Sequence, residues 1–260
     1  MDKITTKFPK MINNGLDGDN FRPVMRNGSL LHVITPVTNT PKLSAKTIER
    51  EYIPGQFSPK VGRNRQFTKG DFKGAYFYML TLVERETCPT TCNAWNFCYG
   101  DNSPFIKRYR PDSGAFTRAL IKDVETLSKK HANNPAGFAV RLHELGDFAS
   151  VDYVELWARL LDKYHNLNIV GYTHTQGDIS RAIDKMQARH PNRCRIMQSD
   201  ISSETARPYS ITDTPEHRKR FPLAFSGDAV RCPEQSGKTA SCSTCGLCYN
   251  GKTNIIFKVH

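Results

Sequence analysis

The sequence predicts an α/β fold, either a partial (β/α) barrel or an open parallel sheet. A Cys-rich loop follows its first core strand, and the core is flanked by a loop-rich N-terminal segment and a Cys-rich C-terminal one. Three observations predict it. Apolar runs of strand length alternate with apolar stripes of helical period, in the order β-α-β-α-β-α-β, which calls for parallel strands joined by helical crossovers. Seven of the eight cysteines fall in two tight groups, one at each end of that core. Each predicted strand is followed at once by a polar segment, and in such folds chemistry collects at the C-terminal ends of the strands.

The elements run as follows. "AYFYMLTLVE" (75–84) is an apolar and aromatic run of buried-strand type. "FTRALIKDVETLSKK" (116–130) puts Phe116, Leu120, Val124 and Leu127 on one helical face. "FAVRLHE" (138–144) alternates as a strand. Ser150 is the N-cap of the next helix, with Asp152 in its first turn and Val151, Val154, Trp157, Ala158, Leu161 and Tyr164 as its stripe. "NIVGYT" (168–173) is a third strand and "DISRAIDKMQARH" (178–190) a third helix. "RCRIMQS" (193–199) is a fourth strand, and "NIIFKVH" near the C-terminus reads as another. The chain divides into a basic segment (1–74), a core (75–230) and a Cys-rich segment (231–260).

A chain of 260 residues buries a core without covalent staples. No apolar stretch is long enough to span a membrane, and "MDKITTKFPKMINNG" has no signal-type apolar region. A cytoplasmic setting is expected. There, clustered cysteines are metal ligands more often than disulfides. Cys88, Cys92 and Cys98 form the first group, C-x3-C-x5-C. Three thiolates leave one coordination position open, the mark of a site that does chemistry. The alternative is a zinc site closed by His143 or Asp147. Cys232, Cys242, Cys245 and Cys248 form the second group. Three cysteines at one spacing in "CSTCGLC", with a remote fourth followed by Pro233, suit a [4Fe–4S] cube. Four-thiolate zinc is the alternative. Cys194 stands alone and reads as a small buried side chain.

"HELGDF", "YTHTQGD" and "QSDIS" follow the later strands and would join the first thiol group on one rim. "GLCYNGKT" (246–253) satisfies the phosphate-binding loop pattern, but that loop works only between a strand and a helix. A strand follows here, so the match is taken as accidental.

The thiol triad after the first strand, with Phe97 before its last cysteine, resembles the radical S-adenosylmethionine (SAM) enzymes. Their pattern is C-x3-C-x-aromatic-C; here the second gap is three residues longer. The resemblance implies that Cys88, Cys92 and Cys98 hold three irons of a [4Fe–4S] cluster, with SAM on the fourth, and that an electron donor feeds it. Glu144, Gly146, Thr173 and His174 would then surround SAM. Asp147 and His143 would be the catalytic side chains, with capping of the following loop as the alternative role for Asp147. The second cysteine group would hold an auxiliary cluster. More closely, 75–260 resembles the phage gene product 88 family, through "NFCYG", "RLHELGDFAS", "GYTHT" and "CSTCGLCY". No reaction carries over from that family.

The net charge is +12, and residues 1–75 hold 13 basic and 6 acidic side chains. A basic surface interleaved with Phe57, Phe67 and Phe72 suits a phosphate backbone, so nucleic acid is the favoured partner. "PEHRKRF" (215–221) adds a second basic cluster. A solvated surface with no polyanion is the plain alternative. Two classes of function remain: an iron–sulfur enzyme dependent on SAM, or a non-catalytic metal-stapled protein that binds nucleic acid.

Overall fold

The computed structural model describes residues 24–26, 29–31, 66–95, 98, 100, 109–111, 114–202 and 205–259. Strand β1 (Val24–Arg26) pairs antiparallel with β2 (Ser29–Leu31). The stretch "SLLHVITPV" (29–37) reads as a short strand within the loop-rich N-terminal segment, and only its first three residues lie within the described set. The core runs β3 (Tyr76–Leu80), α1 (Gly114–Lys130), β4 (Phe138–Leu142), α2 (Val151–Lys163), β5 (Leu167–Thr173), α3 (Gly177–Arg189) and β6 (Cys194–Ser199). Every one of these was expected from the sequence, within two residues at most ends. Ser150 caps α2 as predicted, accepting from the Tyr153 N–H at 3.2 Å.

Beyond β6 the chain adds three short strands. They are β7 (Tyr209–Thr212), β8 (Ala229–Arg231) and β9 (Asn254–Phe257). A six-residue helix, α4 (Pro215–Arg220), lies between β7 and β8, and a four-residue one, α5 (Cys242–Cys245), lies between β8 and β9. The seven strands form one parallel sheet in the order β3-β4-β5-β6-β7-β9-β8. The sheet is open, with β3 and β8 at its two ends.

From β3 to β6 each crossover steps the same way along the sheet. Right-handed crossovers that never reverse place their helices on one face. The period of two then sorts the side chains. Tyr78, Leu80, Phe138, Val140, Ile169 and Ile196 pack with Phe116, Leu120, Trp157 and Ile183 of the helices. Cys194 lies in this layer at 1% exposure, as a buried apolar residue, which was the expectation.

The alternate residues Phe77, Met79, Ala139, Val170 and Met197 face the other way. They are covered by Phe67, Phe72, Cys232, Cys248 and Tyr249. Phe67 and Phe72 are 2% and 5% exposed, which corrects their assignment to a nucleic-acid-binding surface: their rings seal the second face of the sheet. Phe57 lies outside the described residues. Residues 66–74, read as the end of the N-terminal segment, belong to this second layer.

In "GLCYNGKT", Gly246 ends α5 in the left-handed region (φ 66°), and β9 follows. No helix receives a phosphate there, as expected.

Candidate functional site

β3 delivers the chain to the rim, and the next ten residues are pinned there. The Thr87 hydroxyl donates to the Val83 carbonyl at 2.8 Å. Arg85 Nε donates to the Trp95 carbonyl at 3.1 Å, closing the loop that carries Cys88 and Cys92. Backbone bonds Cys92 N–H to Pro89 and Trp95 N–H to Cys92 tighten it further. Phe97, on which the aromatic-before-cysteine feature rests, is outside the described residues; Cys98 is within them.

The segment after β4 locks onto this loop. Gly146 has φ 82°, and a Cβ there would meet Thr87 Oγ1 at 2.6 Å and Leu82 Cβ at 2.7 Å. Its missing side chain is therefore used up by protein packing, where the sequence pointed to close approach of SAM. Asp147 N–H donates to Thr87 Oγ1 at 3.1 Å. The Asp147 carboxylate accepts from Phe148 N–H (2.7 Å), Thr173 Oγ1 (2.7 Å) and His174 N–H (2.7 Å). Burial pushes its pKa up to about 6, against the pull of those donors. Asp147 thus ties the ends of β4 and β5 together; these bonds are those of a loop brace. Thr173, 1% exposed, is part of that brace and does not line the cavity described below.

His143 is buried against Phe148 and Tyr153, its Nε2 3.0 Å from the Tyr153 hydroxyl. Burial lowers its pKa to about 3, so the imidazole is neutral. The His174 ring bonds the backbone of Thr91 and of Ser199, linking the cysteine loop to the end of β6. Burial lowers its pKa, and Asp200 opposes that shift.

The second cysteine group reaches the same place from the chain's other end. Ser241 caps α5 with a reciprocal bond from Thr244. A Cβ on Gly246 would lie 2.8 Å from the Lys69 carbonyl, and Thr68 N–H donates to the Ser243 carbonyl at 3.0 Å. The knuckle is thereby pressed onto the 66–75 turn. Cys248 hydrogen-bonds Tyr172, and burial pushes its pKa up to about 12.

One cavity of about 250 Å³ opens between the two groups. Cys88, Cys92 and Cys98 line it, and so do Cys232, Cys242 and Cys248. Glu144 and His143, Gly146, Asp147 and His174 line it too. Cys245 does not line it but sits close enough to Cys232 and Cys248 to raise their pKa values. None of the eight cysteines forms a disulfide. Burial raises the pKa of Cys88 and of Cys92, and the charge of Asp147 adds to both. Among the described residues, no three Cys, His, Asp or Glu side chains stand close enough to hold a metal ion. The structure brings six of the seven predicted cysteine ligands to one cavity, with Cys245 outside its lining.

Sequence reasoning missed a polar group on the opposite wall. Asp200 ends β6 with φ 72°. Its carboxylate accepts from Asn93 Nδ2 at 2.5 Å and from Ile201 N–H at 2.8 Å. His217 of α4 lies 2.7 Å through Nδ1 from the Thr212 carbonyl, so Nδ1 carries the proton and Nε2 faces Asn93 at 3.2 Å. "QSD" signalled Asp200; His217 looked like part of a surface basic run. Arg141 and Tyr172 also line the cavity, with the guanidinium 5.6 Å from the ring centre.

Comparison with known proteins gives one clear direction. The chain is similar to the Gene 88 proteins of mycobacteriophages. It is 29% identical over 135 residues to that of Mycobacterium phage D29, and 29% identical over 134 residues to that of Mycobacterium phage L5. Each match covers 45% of this chain and 53% of the relative, so the chain spans about half the length of the curated relatives it matches. The phage resemblance read from the motifs is supported to that extent. No family profile and no solved structure matches. No described helix is long and apolar enough to cross a membrane.

Proposed function

We propose that the protein is an iron–sulfur enzyme of the radical SAM type. In this reading Cys88, Cys92 and Cys98 bind a [4Fe–4S] cluster and Cys232, Cys242, Cys245 and Cys248 bind a second. One observation carries it: two thiol groups from opposite ends of the chain open on one cavity at the strand-end rim of a one-way parallel sheet.

The donor chemistry fits. The thiols are not joined in disulfides, and they are soft and clustered, as iron–sulfur centres require. Of the side chains that would close the first group as a zinc site, Asp147 already accepts three hydrogen bonds, whereas His143 bonds Tyr153 through Nε2 and has no partner on Nδ1. In the iron–sulfur reading a fourth coordination position is left for a small ligand. When bound, the reduced cluster and SAM supply one-electron cleavage of a carbon–sulfur bond and hydrogen-atom abstraction.

The chain's own residues hold and position. Thr87, Gly146 and Asp147 fix the cysteine loop against the end of β4. The Glu144 carboxylate lines the cavity and is placed to accept from a ligand ammonium.

The test is anaerobic reconstitution with iron and sulfide, followed by dithionite and SAM. 5′-Deoxyadenosine is expected, and Cys92→Ala abolishes it. A full cluster that yields none, with an electron paramagnetic resonance spectrum indifferent to SAM, overturns the proposal. A non-catalytic, metal-stapled role then takes its place.

A further inference from the structure

The cavity wall formed by α4 has a second side. His217 points inward, while Arg218, Lys219 and Arg220 are exposed. Asp213 bridges both Arg218 (2.5 Å) and Arg231 (2.6 Å) and is itself only 10% exposed in its side chain, so the trio keeps one net positive charge on the surface. Lys219 and Arg220 have no acidic partner among the described residues. Two aromatic rings accompany these cations. Arg220 lies over Phe221 at 4.8 Å and Arg218 over Phe225 at 5.8 Å. Leu223 between them is 76% exposed.

This surface leads to the cavity. Arg220 lines a polar recess that shares Asn93, His174 and Asp200 with the main cavity. Lys258, exposed, lines the main cavity from the β9 side. Arg220 and Lys258 thus line the recess and the cavity, alongside the carboxylates of Asp200 and Glu234, and the half-buried rings of Phe221 and Phe225 lie next to Arg220 and Arg218. Backbone charge and stackable rings in alternation match one class of ligand: bases stack on the rings while phosphates meet the cations. A duplex hides its base faces and offers only the charge.

We propose that α4, Phe221 and Phe225 bind single-stranded nucleic acid and present one nucleotide to the cavity. This deepens the enzyme reading by naming its substrate class. The binding itself rests on the surface alone.

The experiment is fluorescence anisotropy of the full-length protein with labelled oligodeoxythymidine, oligouridine and a DNA duplex across a salt series. Both single strands are expected to bind more tightly than the duplex. Lys219→Ala with Arg220→Ala should weaken binding and flatten the log–log salt slope by about 1.4, two phosphate contacts on a single strand. Phe221→Ala should weaken it roughly fivefold or more with the slope unchanged. Thermal melts establish that each variant is folded. Equal affinity for duplex and single strand overturns the proposal. So does unchanged binding in these variants, or a preference for phosphatidylserine vesicles. 5′-Deoxyadenosine formation is read separately on the same preparations. Strand binding without SAM cleavage sinks the enzyme reading alone, and cleavage without strand binding sinks this one alone.

Discussion

His143 and Asp147 are four residues apart and both buried, and burial shifts their pKa values in opposite directions. The folded protein refuses a proton on His143 down to about pH 3, whereas an unfolded histidine takes one near 6.5. From 6.5 down to 3 the unfolded state therefore binds the extra proton, and stability falls on acidification at roughly 1.4 kcal/mol per pH unit. Asp147 works the other way. Burial lifts its folded pKa to about 6 from the usual 3.8, so between those values the folded state binds the extra proton and stability falls as pH rises. The two slopes oppose each other across that shared window. His131, His174 and His190, whose pKa values burial also lowers, act in the same direction as His143. In His143→Gln one of these contributions is gone while that of Asp147 remains, so the denaturation midpoint should rise less between pH 4 and 6 than in the unaltered protein. A rise equal to the unaltered protein's contradicts the assignment. Neither pKa was legible in "HELGDF", because burial and the partners Thr173 and Tyr153 are set by the fold. What was legible was that these residues belong on one rim with Cys88.

The elements carry most of what the sequence could disclose. α2 was readable because every local cue agreed: the Ser150 cap, Asp152 in the first turn, and an apolar stripe that buries Trp157 and Leu161 completely. Ser150→Ala should cost about 1 kcal/mol, seen as a shift in the urea midpoint with no change in slope. A loss beyond 2 kcal/mol would mean the hydroxyl does more than cap. β7 and β8 were not readable. They have four and three residues, too few for a period to show, and β8 is exposed along most of its length. Their place in the sheet comes from β9, which inserts between them. α4 was likewise hidden. Its six residues look like a surface charge run, and only the fold turns His217 inward.

For the whole molecule, the C-terminal cysteine segment replaces the second layer of helices that a doubly wound sheet would have. It covers Phe77 and Met79 with Tyr249, Phe67 and its own thiols. That role was half legible: the spacing indicated a metal centre, but nothing in it indicated which face it would cover. Cys245→Ser should lower bound iron and soluble yield together, because site formation and this layer's folding are one event. Iron content equal to the unaltered protein's would separate the two and refute the coupling.

That layer also fixes an order of events. Thr68 bonds Ser243, and Gly70 stands 3.3 Å, from the position its Cβ would take, to the Gly246 carbonyl. Contacts so distant along the chain form late and slowly. During synthesis the N-terminal part of a domain emerges and begins folding first. Cys88, Cys92 and their loop are therefore made, and open to solvent on one side, long before Cys248 leaves the ribosome. The first thiol group is thus exposed while the cavity still lacks a wall, and arrival of residues 231–260 shuts it in.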